Sequence, residues 1–449
     1  MSARPHTDSR SIKVRSSAGP ARAVAVPTLL TALVLIGAAF AAAPLSYFGP
    51  PGPGAQFVLH QPFVYLLFAP ITRLLDELSM LSNDQHAALV ASLGFVAALM
   101  TARGAWSARA SAPIKRLRAA ARGFGRVFAG AFGMYLIGAL LPRPMVSLRP
   151  SHPDDVLVDF HSHTTSSHDG RWRFGAAANR AWHAAAGFNA AYITDHQTMD
   201  AWLELARQGA LSGNQQNVAT ASVFGETSAP RQTILLPGIE TVVPGAHINF
   251  LGVSAAHASW FVHRRNLDTV AFTTPIAGVQ RPLALLTLPF DINRSPAGVP
   301  HLDAIEISDG APRGLGFARR YRVQIQALAD SLRVPVVASS NTHGWGATAV
   351  AWTAMRIPGW RTLSPKLLDE HIRALLQTPN AQVSVVERNG LAEERSGLAT
   401  LLTLPRFLAQ IWRMAEPLER ASAVAWIWIL WLLSLQPARL ARRKPAYEH

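Results

Sequence analysis

The chain has 449 residues, a formal net charge of +15 and a hydrophobic content of 49%, and its mean hydropathy is positive at +0.15. This composition is more apolar than that of an ordinary soluble enzyme, so part of the chain is expected to lie in a lipid bilayer. The sequence contains no cysteine, which excludes disulfides, cysteine-ligated zinc, iron–sulfur clusters and cysteine nucleophiles. Any metal must therefore be bound by His, Asp, Glu, Asn or water. Much of the Lys and Arg flanks apolar segments, so the charge does not indicate nucleic-acid binding.

Four apolar segments predict membrane-spanning helices. The first, 23–43, contains no charged residue, and it is longer than the apolar run of about 7 to 15 residues in a cleavable signal peptide, which is the alternative interpretation. The next two, 87–102 and 127–141, are shorter and rich in Gly and Ala; such spans pack closely on neighbours, and burial in a protein core is the alternative for them. The last, 421–435, contains three tryptophans, which are typical of a membrane interface.

The predicted organisation places one large domain between these membrane segments. In chain order the predicted regions are a basic tail 1–22, a membrane region 23–141 with three spans, a large domain 150–390, a linker or interfacial helix 396–420, a span 421–436 and a basic tail 437–449.

Basic segments predict the orientation of the chain in the membrane. Lys and Arg concentrate at 4–22, 103–126 and 439–444, and short basic segments of this kind stay in the cytoplasm. With four spans, the region 142–420 then faces the extracytoplasmic side, which is the periplasm if the membrane is a bacterial inner membrane. The apolar stretch 56–71 leaves an alternative, because a full crossing there would place the domain inside; its prolines and histidine favour an interfacial or re-entrant piece.

The middle region alternates between strand and helix patterns. Apolar, β-branched runs predict strands at 156–158, 190–193, 234–236, 248–251, 283–288, 304–307 and 334–338. Helical patterns occur at 176–186, 199–210 and 317–332. Strands that alternate with helices favour a parallel sheet, either open or closed into a (β/α) barrel.

Metal-binding residue types follow the ends of these predicted strands. His161 and His163 are two residues apart and leave the first strand on the same face, and Asp169 arrives from the following turn. Other strand ends are followed by the polar residues Asp195, His196, Glu240, Asn341 and His343. In a (β/α) barrel the carboxyl ends of the strands meet at one face, so the sequence predicts that these side chains converge on one metal site.

The motifs resemble those of the PHP family, the polymerase and histidinol phosphatase domain, over about 156–386. The first three matching motifs are His161-Ser162-His163-Thr164 with Ser167 and Asp169-Gly170, then Thr194-Asp195-His196, then Leu236-Pro237-Gly238-Ile239-Glu240. Looser matches are Gly245-Ala246-His247 running into Asn249 to Gly252, Pro289, Ile305-Glu306-Ile307, and Ser340-Asn341-Thr342-His343.

The resemblance implies a distorted seven-stranded TIM-like (β/α) barrel, here flanked by transmembrane helices, that binds divalent ions and hydrolyses phosphoesters with metal-activated water. The residues that it implies as metal ligands are His161, His163, Asp169, His196, Glu240, His247, Asn341 and His343. His161, His163, Asp195 and Glu240 are the expected catalytic residues, and Asp195 either binds metal or orients His196. Two ions are expected, with one or three as alternatives, and the ligand types suit zinc, manganese or iron.

Two positions depart from the family pattern. Leu288 stands where the family usually has His before Pro, and Asn341 stands where it usually has Asp. Leucine cannot bind a metal and asparagine offers only a neutral oxygen, so a site with one or two ions is the expectation. A degenerate domain that binds or senses a ligand without turnover is the alternative function, and hydrolysis of an amide or another non-phosphate bond is a third.

The expected partner is a phosphorylated small molecule or a nucleotide-like substrate, together with the lipid bilayer. Arg171 and Arg313 are candidates for phosphate binding, because guanidinium pairs with phosphate through two hydrogen bonds; solvated surface charge is the alternative. His168 and His183 favour local structural roles, and Glu306, in an apolar run, favours satisfying buried backbone groups.

Overall fold

Twelve strands and twelve helices of the described residues form a mixed α/β fold. The computed structural model describes residues 20–49, 56–107, 113–212, 233–254, 257, 280–292, 301–379, 381–393 and 397–442. The strands are β1 (Leu45–Phe48), β2 (Phe57–His60), β3 (Ser147–Pro150), β4 (Asp155–Ser162), β5 (Ala190–Ile193), β6 (Ile234–Val243), β7 (Ala246–Leu251), β8 (Leu283–Thr287), β9 (Ala304–Asp309), β10 (Val336–Ser339), β11 (Ala351–Arg356) and β12 (Val383–Arg388). The helices are α1 (Pro20–Ala39), α2 (Phe63–Leu67), α3 (Ala69–Ser79), α4 (Asn83–Ser107), α5 (Pro113–Leu140), α6 (Ala176–Ala186), α7 (Asp200–Ser212), α8 (Pro312–Leu332), α9 (Pro365–Gln377), α10 (Gly397–Leu401), α11 (Thr403–Met414) and α12 (Pro417–Arg442).

Ten of these strands form one sheet that curls into a nearly closed barrel. Its strand order is β1-β12-β11-β4-β5-β6-β7-β8-β9-β10, and β2 and β3 form a separate pair. The two sides of the sheet meet where β10 approaches β4 and β11. There the hydroxyl of Thr353 donates to the carbonyl of Ala338 at 2.8 Å, and the amide of Asn341 donates to the carbonyl of His161 at 2.8 Å. The end of β10 therefore lies beside the end of β4.

The expectation of an α/β fold is confirmed, and the sheet differs in detail from a seven-stranded parallel barrel. The seven predicted runs all overlap strands β4 to β10. Strands β4, β5 and β6 are parallel, whereas β7 is antiparallel to both β6 and β8. The reason is local: only Pro244 and Gly245, with φ of +81° at the glycine, separate β6 from β7, and a connection of two residues joins antiparallel strands.

The barrel strands are apolar on both faces because both faces are covered. All eight residues of β4 are buried, as are all residues of β5, β8 and β9. Strands of this kind appear in the sequence as continuous apolar runs without alternation. The polar exceptions on β4 are Asp155, Asp159, His161 and Ser162, each at most 4% exposed, so their burial requires specific partners.

Two of the described helices contain segments long and apolar enough to cross a membrane, judged by length and composition alone. These segments are Asn83–Gly104 in α4 and Pro417–Leu435 in α12, and only 17% and 11% of their most apolar windows are buried within the protein. They overlap the predicted spans 87–102 and 421–435. The apolar part of α1, Val24–Ala39, is shorter than a span by the same test, and the predicted span 127–141 falls in the second half of α5.

Other predicted membrane features have different structures. No single helix covers the apolar stretch 56–71, because it contains β2, α2 and the start of α3. The predicted interfacial region 396–420 contains α10, α11 and the start of α12. Most of the two predicted basic tails lies outside the described residues.

A buried network of polar groups joins the barrel to the helices before it. Asp76 on α3 is fully buried. Its carboxylate accepts hydrogen bonds from Arg388 at the end of β12 at 3.0 Å, from the hydroxyl of Thr348 at 2.9 Å and from that of Tyr65 at 3.1 Å. Arg143, just after α5, lies 3.4 Å from Asp76 Oδ1. Helices α3 and α5 are therefore held to the barrel by charge-assisted contacts.

Candidate metal centre

The predicted ligands come from four regions of the barrel and meet at one point. His161 lies on β4 and His163 directly follows it, and His196 follows β5. Glu240 lies on β6 and forms an isolated parallel bridge with His196. His343 follows β10, and the backbone of its segment is joined to the first motif because the amide of His163 donates to the carbonyl of Thr342 at 2.9 Å.

The carboxylate of Glu240 is at the centre of this arrangement. Its Oε1 lies 2.6 Å from His247 Nδ1, within hydrogen-bond distance. Its Oε2 lies 3.2 Å from His161 Nε2, 3.3 Å from His163 Nε2 and 3.1 Å from His196 Nδ1. One carboxylate that is only 2% exposed thus contacts four imidazole rings.

Asp169 forms the outer side of the site. Its Oδ2 lies 3.1 Å from His343 Nε2 and 3.4 Å from His196 Nε2. The ring of His163 stacks on those of His343 and His196, with centroids 4.0 Å and 4.6 Å apart. The turn that carries Asp169 requires glycine at the next position, because a Cβ on Gly170 would lie 1.9 Å from the carbonyl oxygen of Thr164.

Several sets of these side chains could hold a metal ion. In each set the ligand atoms lie within 4.8 Å of one another. The sets are His163 with His196 and His343; His161 with His163 and Glu240; His168 with Asp169 and His196; His196 with Glu240 and His247; and His161 with Glu306 and Asp309. All the predicted ligands except Asn341 therefore belong to at least one set.

The donor atoms fit a divalent cation. Several nitrogen and oxygen atoms here are buried and have no hydrogen-bond partner among the described residues, namely His163 Nε2, His343 Nε2 and Asn341 Oδ1. Buried polar atoms are normally paired, so atoms that converge without partners are suited to an ion. Imidazole nitrogens with carboxylate oxygens suit zinc, manganese or iron.

Electrostatics favours the states that metal binding requires at Glu240 and His163 but not at His161. Burial opposes the charge on His161, but Glu240 and Glu306 outweigh it and raise the pKa of this imidazole well above its usual range, so a cation that binds there must displace a proton. Burial opposes the charge on Glu240, but His161 and the other imidazoles outweigh it and hold the pKa of this carboxyl well below its usual range. Burial, assisted by repulsion from neighbouring imidazoles, holds the pKa of His163 well below its usual range. Glu240 is therefore ionised and His163 is neutral near pH 7, and both can donate electron pairs to a cation.

Asp195 supports the first motif rather than joining the ligand sets. Its two carboxylate oxygens accept hydrogen bonds from the amide of Thr164 at 2.6 Å and from the hydroxyl of Thr164 at 2.7 Å. Its backbone carbonyl accepts the amide of Glu240 at 3.2 Å. Burial raises the pKa of Asp195 to about 6. Of the two roles considered for this residue, these contacts favour positioning.

The two candidate phosphate-binding arginines lie on different sides of the site. The guanidinium of Arg171 donates to the carbonyls of Gly344 at 3.2 Å and Leu140 at 3.1 Å, so it holds the segment after His343. Arg313 is exposed at the start of α8 and lines a cavity of about 340 Å³ together with His247. Arg313 is thus the one of the two that faces a space open to a ligand.

The two departures from the family pattern are both accommodated by acidic residues. Leu288 is buried, and its amide donates to Glu306 Oε2 at 2.9 Å. The side-chain amide of Asn341 donates to Asp309 Oδ2 at 3.0 Å. The side chain of Leu288 offers no ligand, as the sequence indicates.

Some residues have roles that sequence reasoning missed. Asp159 is fully buried, accepts the amides of His161 at 3.2 Å and Ser340 at 2.9 Å, and lies 2.7 Å from His183. It therefore joins the ends of β4 and β10. The local role expected for His183 agrees with this contact, whereas the ring of His168 lies only 4.9 Å from that of His196. The available signal for Asp159 was a carboxylate inside an apolar strand.

Comparison with known proteins assigns no family to the chain. No protein-family model matches it, and no curated protein matches it. Among solved structures, the crystal structure of PsfC from Pseudomonas syringae is similar over 58% of this chain and 98% of PsfC, at 15% sequence identity and a TM-score of 0.32. A similarity of this size supports no statement about function, so the interpretation of the site depends on its own residues.

Proposed function

We propose that the protein is a membrane-anchored, metal-dependent hydrolase of the PHP type that acts on phosphoester bonds. The observation that carries the proposal is the contact of the buried Glu240 carboxylate with four imidazole rings, among donor atoms that lack other partners. Imidazole nitrogens and carboxylate oxygens gathered in this way are typical metal ligands, and metal binding releases the protons that such ligands carry.

The residues of the chain have distinct tasks in this proposal. Divalent ions held at the site would neutralise phosphate oxygens and lower the pKa of a water molecule that attacks phosphorus. The two oxygens of Glu240 face different ligand sets, His247 on one side and His161 with His163 on the other, which suits a carboxylate shared by two ions. Arg313, beside His247 at the cavity, is positioned to bind a phosphate oxygen or another anionic group of the substrate.

We further propose that the protein is inserted in a bacterial inner membrane with its barrel on the periplasmic side. The two apolar helix segments in α4 and α12 support insertion in a membrane, and the orientation is inferred from the basic segments of the sequence alone. A reporter enzyme fused after His449 is expected to report a cytoplasmic C-terminus. An extracytoplasmic signal from that fusion would overturn the proposed orientation.

A degenerate site that binds a phosphorylated ligand without turnover is the second candidate. It is favoured by two specific residues, because Leu288 supplies no ligand atom and Asn341 supplies only a neutral oxygen. Both functions require metal, and they differ in turnover.

The deciding experiment uses the full-length protein purified in detergent. Bound metal is measured by mass spectrometry, and hydrolysis is measured on a panel of phosphomonoesters, phosphodiesters and nucleotides. We expect at least one divalent ion per chain and hydrolysis of at least one ester. His161→Ala should lose both, whereas His371→Ala, an exposed residue on α9 whose Nδ1 lies 2.8 Å from the carbonyl of Leu367, should lose neither. Metal without turnover on any ester would select the binding function, and a metal-free protein that takes up no divalent ion would overturn both.

A further inference from the structure

Two buried acidic residues of β9 lie directly behind the metal ligands. Glu306 and Asp309 are both fully buried. Glu306 Oε1 lies 3.5 Å from His161 Nδ1 and has no hydrogen-bond partner among the described residues. The carboxylate of Asp309 accepts a hydrogen bond from the side-chain amide of Asn341. No Lys or Arg of the described chain forms an ion pair with either carboxylate, so the usual structural reason for burying an acid does not apply here.

His161 faces a carboxylate on each side of its ring. Its Nε2 lies 3.2 Å from Glu240 within the site, and its Nδ1 is directed at Glu306 behind the site. A histidine binds a metal through one neutral nitrogen, and an acceptor at the other nitrogen fixes the proton there. With a cation bound at Nε2 in place of the proton, the remaining proton would lie on Nδ1, facing the carboxylate of Glu306, and Nε2 would direct its lone pair into the site.

Asn341 is oriented in a similar way by Asp309. Asp309 Oδ1 accepts the amide of Ala311 at 2.7 Å, which fixes the carboxylate, and Oδ2 accepts from Asn341 Nδ2 at 3.0 Å. A flipped side-chain amide would place its oxygen against this carboxylate. The contact therefore turns Asn341 Oδ1, which is buried and without a partner, away from Asp309, and leaves it free to act as a ligand.

We propose that Glu306 and Asp309 are positioning residues of the metal centre: Glu306 sets the tautomer of His161, and Asp309 directs the oxygen of Asn341 toward the ligand cluster. The inference rests on the proposed function.

The first test measures metal affinity in the full-length protein. Mn²⁺ affinity is measured by titration calorimetry, and the ligand field is measured from the visible spectrum of the Co²⁺-loaded protein. Glu306→Gln keeps the size of the side chain but removes its charge, and we expect Mn²⁺ to bind about 10- to 100-fold more weakly with a changed Co²⁺ spectrum. The matched control is Asp303→Asn. Asp303 is a buried acid just before β9, and its carboxylate pairs with Arg281 at 2.6 Å. This control should lower Tm and leave the affinity and the spectrum unchanged.

The second test exchanges the charge between Asp309 and Asn341. Asn341→Asp places two carboxylates in contact and should weaken Mn²⁺ binding or lower Tm, and the double variant with Asp309→Asn should restore both toward wild type. The inference is overturned if Asn341→Asp alone behaves like wild type, or if Glu306→Gln matches Asp303→Asn in every readout. It is also overturned if Glu306→Gln removes one equivalent of ion and leaves the remaining affinity unchanged, since Glu306 would then be a ligand. A wild-type protein that binds no ion would overturn the proposed function as well, which separates the two failures.

Discussion

Glu240 in the barrel and Asp76 at the junction with the helices are both buried carboxylates with four polar side-chain neighbours, yet the neighbours differ in kind. Asp76 is paired with two guanidinium groups, from Arg388 and Arg143. It also accepts hydrogen bonds from two hydroxyl groups, those of Thr348 and Tyr65. Guanidinium is always charged and binds no metal. Arginine side chains of the protein therefore balance the negative charge of Asp76.

Among the described residues, the side chains that contact the carboxylate of Glu240 are imidazoles. Imidazole is neutral or charged according to pH and binds metals through a free lone pair. Nitrogens beside Glu240, such as His163 Nε2, have no hydrogen-bond partner within the described chain. The comparison shows that burial of a carboxylate does not by itself indicate a function. The chemical type of its neighbours, and the atoms left without partners, separate a structural ion pair from a candidate metal site.

Removal of Asp76 should produce the largest change in stability. Asp76→Ala leaves Arg388 and Arg143 buried without their carboxylate, and loss of one partner of a buried pair costs about 3–5 kcal/mol. Equilibrium denaturation in detergent measures this loss. The matched control is Asp84→Ala, because Asp84 is exposed and pairs with Arg320 at the surface, and such pairs contribute at most about 1 kcal/mol. The folded Asp76→Ala protein should bind Mn²⁺ as wild type does; a large loss of affinity would mean that the junction is part of the site.

Removal of the charge on Glu240 should weaken metal binding and leave stability nearly unchanged, which is the opposite of the result expected for Asp76→Ala. Glu240→Gln keeps a hydrogen-bonding side chain but removes the anion shared by the imidazoles, and we expect Mn²⁺ affinity to fall by at least about 100-fold, or about 2.7 kcal/mol, because a ligand contributes more than an outer residue. Calorimetric titration measures the change. Tm of the metal-free protein should change little. Glu370→Gln, at a partly exposed position 3.9 Å from Lys366 on α9, is the control. A Glu240→Gln protein that is strongly destabilised without metal would show that the two carboxylates are alike.

The sequence predicted that the candidate ligands lie close together, but not which residues hold them in place. The rule that side chains at the carboxyl ends of neighbouring strands meet needs only local patterns, and it brought His161, His196 and His343 together correctly. Strands β11, β12 and β1 were missed because their pairing is antiparallel and joins distant segments, as in Leu45 with Arg388. No local pattern encodes such a register.

The residues behind the ligands could not be assigned for a related reason. Glu306 was visible as an acid in an apolar run, but its contact with His161 depends on where β9 lies relative to β4, which only the closed sheet determines. Asp195 was predicted either to bind metal or to orient His196. Its actual partner, Thr164, belongs to the first motif, and the sequence spacing between the two gives no sign of that contact.

The smallest predicted effect is the pH dependence that Asp195 gives to the free energy of unfolding. Because the pKa of Asp195 is raised to about 6 in the folded protein from an ordinary value of 3.8, the folded state holds a proton that the unfolded state releases between these pH values. Its contribution to stability is therefore fully present below pH 3.8 and is lost as the pH rises through about 6. The difference in free energy of unfolding between wild type and Asp195→Asn should fall by at most about 1.4 kcal/mol per pH unit across this window and stay constant above it. Denaturation of the metal-free proteins at a series of pH values measures the difference, with Asp200→Asn, at an exposed position at the start of α7, as the control. A difference that rises with pH, or one that Asp200→Asn reproduces, would show that Asp195 is not the group responsible.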